Sequence, residues 1–181
     1  MGIDSARHRA AAFEGRILLV LPAVEGRASS LFSALETHLR NAIDEGILVT
    51  NQAQVRQLLK MVPSQRAEGR RAYVIGAGDI EHAQLNGNFF YRRDGARISF
   101  GVTMLETPEG LNLDSYRFSI RFRHGAIPPF IRFDLNTPRP QDPLTAPRCH
   151  IHPGSEDVVI PTLAMAPIEI LDRFLYGMPH P

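Results

Sequence analysis

Apolar residues recur at three- and four-residue spacing in two stretches of the N-terminal third, which is typical of one face of an amphipathic helix. The first stretch occupies residues 29–46 and the second residues 51–62, directly before Pro63. The apolar positions are Leu31, Phe32, Leu35, Leu39, Ala42 and Ile43 in the first stretch, and Val55, Leu58, Leu59 and Val62 in the second. The pattern predicts that residues 1–63 are mostly helical.

Farther along the chain apolar and polar residues alternate, which is the two-residue period of a half-buried β-strand. In residues 115–123 one face carries only large apolar or aromatic side chains, which are Tyr116, Phe118, Ile120 and Phe122. Residues 130–135 alternate in the same way, and residues 149–152 form a last short strand. The dipeptide Asp94-Gly95 lies between two further strand patterns and is a strong signal for a hairpin turn.

A helical stripe returns near the C-terminus, where Pro167 suits the first turn of a helix and Gly177 its end. The elements together predict an α+β fold. A helical N-terminal part is followed, over residues 72–181, by an antiparallel sheet of about four to six strands and a C-terminal amphipathic helix. A chain of 181 residues can bury a core of its own, so we expect a single domain over residues 1–181.

Charge and cysteine content exclude several classes of protein. The formal net charge is +1, so any binding of nucleic acid must come from a local basic patch. Arginine supplies nearly all the positive charge, because Lys60 is the only lysine. Cys149 is the only cysteine, which excludes a disulfide within the chain. The sequence shows no signal-peptide pattern and no apolar run of membrane-spanning length, so we expect a cytoplasmic protein without membrane contact.

Four ionisable side chains on the last two predicted strands are candidates for chemistry: Arg132, Asp134, His150 and His152. Residues two apart on a strand point to the same face, so each strand carries its pair on one side. If the two strands are neighbours, we expect the four groups to share one exposed patch, opposite a core face that holds Cys149. The alternative is that these residues have no chemical role and lie on a solvated sheet face, where Arg132 and Asp134 form a weak ion pair.

Two chemistries fit these side chains. In the first, no cofactor is needed: one histidine takes a proton from a ribose hydroxyl, the other or a water protonates the leaving group, and arginines bind the phosphate. This hypothesis assigns catalytic roles to His150, His152, Asp134 and Arg132, and phosphate binding to Arg121 and Arg123. In the second, a divalent metal binds the two histidines, with the aspartate as the natural third ligand.

The order of these parts resembles that of a known toxin family. An aromatic alternating strand is followed by Arg132-Phe133-Asp134, a proline-rich loop, the histidine pair and a closing helix. Over residues 116–175 this order resembles the TumE-like toxins (DUF6516) of bacterial toxin–antitoxin loci, although the histidine cluster is reduced to two. The resemblance implies a growth-inhibiting, RNA-directed toxin restrained by an antitoxin, with the four candidate residues at its active site.

We therefore predict an RNA-directed nuclease-like toxin or phage-defence component, whose expected partners are RNA and a protein. Two other functions stay open. One is a non-enzymatic subunit of a larger assembly, which docks onto a protein partner. The other is a metal hydrolase, because His150-Ile151-His152-Pro153 is similar to the H-x-H-P core of the zinc isopeptidases of the JAMM type. Residues 160–166, however, contain no acidic residue to match the zinc-binding aspartate of those enzymes.

Overall fold

The computed structural model describes residues 27–64, 71–77, 89–107, 110–137 and 147–178. The helices in these ranges are α1 (Ala28–Asp44), α2 (Gln52–Leu58) and α3 (Pro167–Asp172), which continues as a π-helical turn (Arg173–Gly177). The strands in these ranges are β1 (Leu59–Ser64), β2 (Arg71–Ala77), β3 (Phe90–Tyr91), β4 (Arg97–Thr107), β5 (Gly110–Arg121), β6 (Phe130–Leu135), β7 (Cys149–Pro153) and β8 (Ile160–Pro161). The helical character predicted for residues 1–26 lies outside the described residues.

The strands of the described ranges form one antiparallel sheet of eight strands. Their order is β1-β2-β4-β5-β6-β7-β8, and β3 pairs with the start of β4. The predicted α+β class is confirmed. The sheet is larger than expected because it includes β1, for which the sequence predicts a helix, and the two-residue strand β8, which is too short to show a period.

A hydrophobic core fixes which way each strand faces. The four apolar residues of the 115–123 pattern are all buried, as predicted. Leu35 and Leu39 of α1 are fully buried in the same core. Phe133 of β6 packs against Phe174 of the π-helical turn, with the ring centroids 5.8 Å apart. Because Phe133 points to the helices, its neighbours on β6 point to the opposite face of the sheet.

The second helix is shorter than its apolar pattern predicts. Asn51 caps α2 in a capping box, but the helix ends at Leu58 instead of continuing to Pro63. From Leu59 onward the chain forms β1, which pairs with β2 along its whole length. Leu59 is buried in the core, whereas Val62 is 47% exposed. Pairing with β2, the next strand in the chain, therefore outweighs the local helical spacing.

Several other elements match their predictions. The Asp94-Gly95 turn joins β3 to β4, with Gly95 at a φ of 88°. β6 spans the predicted residues, β7 extends one residue beyond them to Pro153, and α3 begins at Pro167. Among the helices of the described ranges, none has the length and apolar character needed to cross a membrane.

Candidate histidine–aspartate site

β6 and β7 place the four candidate residues side by side. The strands pair antiparallel, with Arg132 opposite His152 and Asp134 opposite His150. Since residues two apart share a face, all four side chains lie on the side of the sheet opposite Phe133 and the helices. We refer to these four residues as the histidine–aspartate cluster.

The Oδ2 atom of Asp134 is the centre of the cluster. It accepts a hydrogen bond from Nε of Arg132 at 2.7 Å. The Nε2 atoms of His150 and His152 lie 3.6 Å and 3.5 Å from the same oxygen. The two imidazole rings are 4.9 Å apart between their centroids. Two imidazoles, a guanidinium and a carboxylate thus converge, which is the arrangement that proton transfer or a shared ligand requires.

The cluster is buried, and the expectation of an exposed patch is wrong. The side chains of its four residues are only 5% to 8% exposed. Alternation along a strand shows which side a residue takes, but not what packs over that side. After β7 the chain turns back: β8 pairs with β7 beside the histidines, and Glu156 accepts a hydrogen bond from Arg132. The ion pair between Arg132 and Asp134 is therefore buried, and it is not a weak pair on a solvated sheet face.

Arg117 and Glu156 extend the cluster, and neither is among the site residues predicted from the sequence. Arg117 lies opposite Asp134 on β5 and donates from Nε to Oδ1 at 3.2 Å. The side chains of Arg117 and Glu156 are 53% and 54% exposed, so these two rim residues lie between the buried cluster and solvent. The register of β5 against β6 identifies Arg117. Glu156 lies in a loop, where no periodic pattern marks it.

The two arginines predicted to bind phosphate lie elsewhere. Arg121 is opposite Phe130, and its guanidinium lies 5.2 Å from the centroid of that ring. Arg121 is four residues from Arg117, which corresponds to about 13 Å along a strand. Arg123 follows the end of β5 and is exposed. Their binding of phosphate stays a prediction, and Arg117 is the β5 arginine that contacts the cluster.

A backbone carbonyl fixes the tautomer of His150. Nδ1 of His150 lies 2.9 Å from the carbonyl oxygen of Pro147 and donates its proton, because a carbonyl can only accept. The lone pair of the neutral ring is then on Nε2, which faces Asp134. Burial lowers the pKa of His150, and the opposing charge of Asp134 does not cancel this effect. At neutral pH His150 is therefore a neutral base whose accepting atom points into the cluster.

His152 has an unpaired buried atom. Its Nδ1 is buried without a hydrogen-bond partner among the residues that the structure describes. An unpaired buried polar group costs about 1–3 kcal/mol. Natural proteins tolerate such violations mainly at functional positions. This atom therefore favours a chemical role for His152 over a role in packing.

Three residues of the cluster have the arrangement of metal ligands. The donor atoms of Asp134, His150 and His152 lie within 4.8 Å of one another. Two imidazoles and a carboxylate suit divalent transition metals, and the hydrogen bond from His150 to a carbonyl is typical of metal-binding histidines. However, both oxygens of Asp134 already accept hydrogen bonds from arginines. Those positive charges oppose the binding of a further cation.

The lowered pKa of His150 predicts a loss of stability in acid. An unfolded histidine has a pKa of about 6.5. Because folding lowers this value, the unfolded chain takes up the proton more readily, and stability falls as the pH drops below about 6.5. In the folded state His150 faces Asp134, His152 and Arg132. Urea unfolding at neutral and at acidic pH measures this effect. The free energy of unfolding should fall more between the two pH values in the wild type than in His150→Gln. Equal losses would contradict the lowered pKa.

Comparison of the chain with models of protein families, with curated proteins and with solved structures gives no match. The resemblance to the TumE-like toxins therefore stays a prediction.

Proposed function

We propose that this protein is an RNA-directed nuclease-like toxin whose histidine–aspartate cluster cleaves the RNA backbone without a metal ion. The observation that carries the proposal is the position of two imidazoles, whose Nε2 atoms lie 3.6 Å and 3.5 Å from one oxygen of Asp134. Imidazoles both take and give protons near neutral pH. Arg132 and Arg117 supply positive charge at the same carboxylate.

In the proposed reaction His150 is the base and His152 the acid. Nε2 of neutral His150 takes the proton of a ribose 2′-hydroxyl, and the 2′-oxygen forms a bond to the adjacent phosphorus. The bond from phosphorus to the 5′-oxygen of the next nucleotide breaks, and that oxygen takes a proton from protonated His152. The products are a 2′,3′-cyclic phosphate and a free 5′-hydroxyl. One proton has then moved to His150 and one has left His152.

The choice of RNA follows from this chemistry, because DNA has no 2′-hydroxyl to act as the nucleophile. Negative charge develops on the phosphate oxygens during the reaction, and fixed positive groups stabilise it. Arg132 and Arg117 are the cations closest to the proposed acid and base in sheet register. The resemblance to the TumE-like toxins extends the proposal to growth inhibition or phage defence, with an antitoxin as the protein partner.

A metal hydrolase is the second candidate, and the close spacing of three donor atoms favours it. In that reaction Asp134, His150 and His152 would bind a divalent ion, which supplies an activated water for hydrolysis. The two arginines bound to Asp134 weigh against this candidate. The two reactions differ in their need for metal and in the RNA ends that they leave.

Cleavage of an RNA oligonucleotide by protein purified without an affinity tag tests the proposal. We expect cleavage to persist in EDTA and to leave 2′,3′-cyclic phosphate ends, which mass spectrometry detects. A matched oligonucleotide with 2′-deoxyribose at the cleaved position should resist cleavage, because it lacks the nucleophile.

Three outcomes would contradict the metal-free reaction. Cleavage of the deoxyribose substrate would show that the 2′-hydroxyl is not the nucleophile. Cleavage that is lost in EDTA and restored by zinc or manganese would support the metal hydrolase. If the folded wild type cleaves no RNA, a non-enzymatic assembly subunit becomes the better hypothesis.

A further inference from the structure

The buried guanidinium of Arg132 binds two carboxylates that differ in their exposure to solvent. Its Nε donates to Asp134 and its Nη1 donates to Glu156. Asp134 lies on the same strand and its side chain is 5% exposed, whereas that of Glu156 is 54% exposed. Asp134 is therefore a fixed part of the sheet. Glu156 instead reaches the cluster from the loop between β7 and β8.

Side chains from three strands stabilise the negative charge of Glu156, and one of them, Arg132, bonds to its carboxylate. Burial raises the pKa of this carboxyl, but the hydrogen bond and charge of Arg132, together with His152 and Arg117, lower it overall. Arg117 lies on β5, Arg132 on β6 and His152 on β7. The sheet thus builds a position that stabilises negative charge at the rim of the cluster.

We propose that this position is a subsite for a phosphoryl group, and that Glu156 occupies it until a phosphate displaces the carboxylate. A planar guanidinium binds phosphate in a favourable geometry. A phosphoryl group offers more acceptor oxygens than a carboxylate. The exchange needs no change in the sheet, because Asp134 keeps its hydrogen bond to Nε of Arg132 while Nη1 changes partner.

The subsite lies where the proposed reaction needs the phosphate. Arg132 is opposite His152 in the register of β6 and β7. Directly opposite residues have Cβ atoms about 4.5–5.5 Å apart, so a phosphate on Arg132 lies beside the proposed acid. Departure of Glu156 also opens the rim of a cluster whose side chains are buried. The assignment of this phosphoryl group to the RNA backbone rests on the proposed function.

Glu156→Gln tests the subsite, with Asp157→Asn as the matched control. Both variants remove one negative charge from the same loop, but only Glu156 bonds to Arg132. The first probe is inorganic phosphate, titrated by calorimetry at constant ionic strength. Glu156→Gln should bind phosphate about tenfold more tightly than the wild type, because a charge-assisted hydrogen bond no longer competes. Asp157→Asn should bind it like the wild type.

The second probe is an oligonucleotide of 2′-deoxyribose, which binds without being cleaved. If the subsite binds the nucleic-acid backbone, Glu156→Gln should also bind this oligonucleotide about tenfold more tightly than the wild type. Tighter binding of inorganic phosphate alone would overturn the assignment of the subsite to the nucleic-acid backbone. Equal gains in Glu156→Gln and Asp157→Asn would reveal only an effect of net charge, and no detectable binding by Glu156→Gln would remove the subsite. Glu156→Ala also removes the competing carboxylate and serves as a second variant if Glu156→Gln does not fold. Thermal unfolding shows whether each variant is folded. Because neither probe is cleaved, the subsite can hold even if RNA cleavage is not found.

Discussion

Substituting alanine for both His150 and His152 is expected to abolish growth inhibition. Each imidazole moves one proton in the proposed reaction, and a positioned acid or base contributes about 10²–10⁴-fold to a rate. Loss of both groups should therefore leave almost no cleavage. Wild type and double variant are expressed from the same inducible promoter in bacteria that lack the antitoxin, and surviving colonies are counted. The wild type should prevent growth and the double variant should permit it.

Two control variants make this result specific. His124→Ala removes an exposed histidine from the loop between β5 and β6 and should remain toxic. The double variant His150→Gln/His152→Gln avoids the large cavity that alanine leaves, so its loss of toxicity would not reflect destabilisation by that cavity. Toxicity that survives either double substitution, or a wild type that is not toxic, would remove the toxin proposal.

Asp134→Asn is expected to lower the free energy of unfolding by about 3 kcal/mol, because it removes the buried negative partner of a buried guanidinium and leaves only the half-exposed Glu156. The side chains of Arg132 and Asp134 are 7% and 5% exposed, so water cannot replace the lost interaction. Both oxygens of Asp134 accept hydrogen bonds from arginines, and the amide nitrogen of asparagine cannot accept. Urea unfolding followed by circular dichroism measures the difference.

Asp172→Asn is the matched control for this stability effect. Asp172 pairs with His38 at 2.7 Å, but the side chains are 42% and 33% exposed. Ion pairs with this much solvent contact contribute about 0–1 kcal/mol. If the two variants lose similar stability, the description of the cluster as a buried charge network is incorrect.

The strands that carry the site could be predicted because their signals are local. Apolar and polar residues alternate from Ile131 to Leu135 of β6, and Pro153 and Gly154 mark the end of β7. The two-residue period alone puts Arg132 with Asp134 on one face, and the two histidines on one face of the next strand. The core position of Cys149 follows from the same period and is confirmed, since Cys149 is buried among the residues of the hydrophobic core.

The rest of the site depends on residues distant in sequence. In β5, Arg117 and Arg121 lie on the same face, and a register shift of four residues would bring Arg121 to Asp134 instead. Local alternation cannot distinguish these registers, because every even shift keeps the same face inward. The burial of the cluster likewise depends on the return of the chain at Glu156 and β8, which no periodic pattern indicates.

The predicted C-terminal end of the second helix was wrong for a related reason. Residues 55–62 have apolar positions at helical spacing, yet the segment from Leu59 forms a strand because β2 is available to pair with it. Leu59 lies opposite Ala77 in that pairing. A partner eighteen residues away in the chain thus decides a structure that the local pattern assigns to a helix.

The proposal that two buried imidazoles cleave RNA is tested by a single-turnover rate. Purified wild type, His124→Ala and His150→Gln/His152→Gln are each mixed in excess with one RNA oligonucleotide in the presence of EDTA. Wild type and His124→Ala should cleave at the same rate, and the double glutamine variant should be slower by at least about 100-fold. Equal rates for the double glutamine variant and the wild type would contradict catalysis by the cluster.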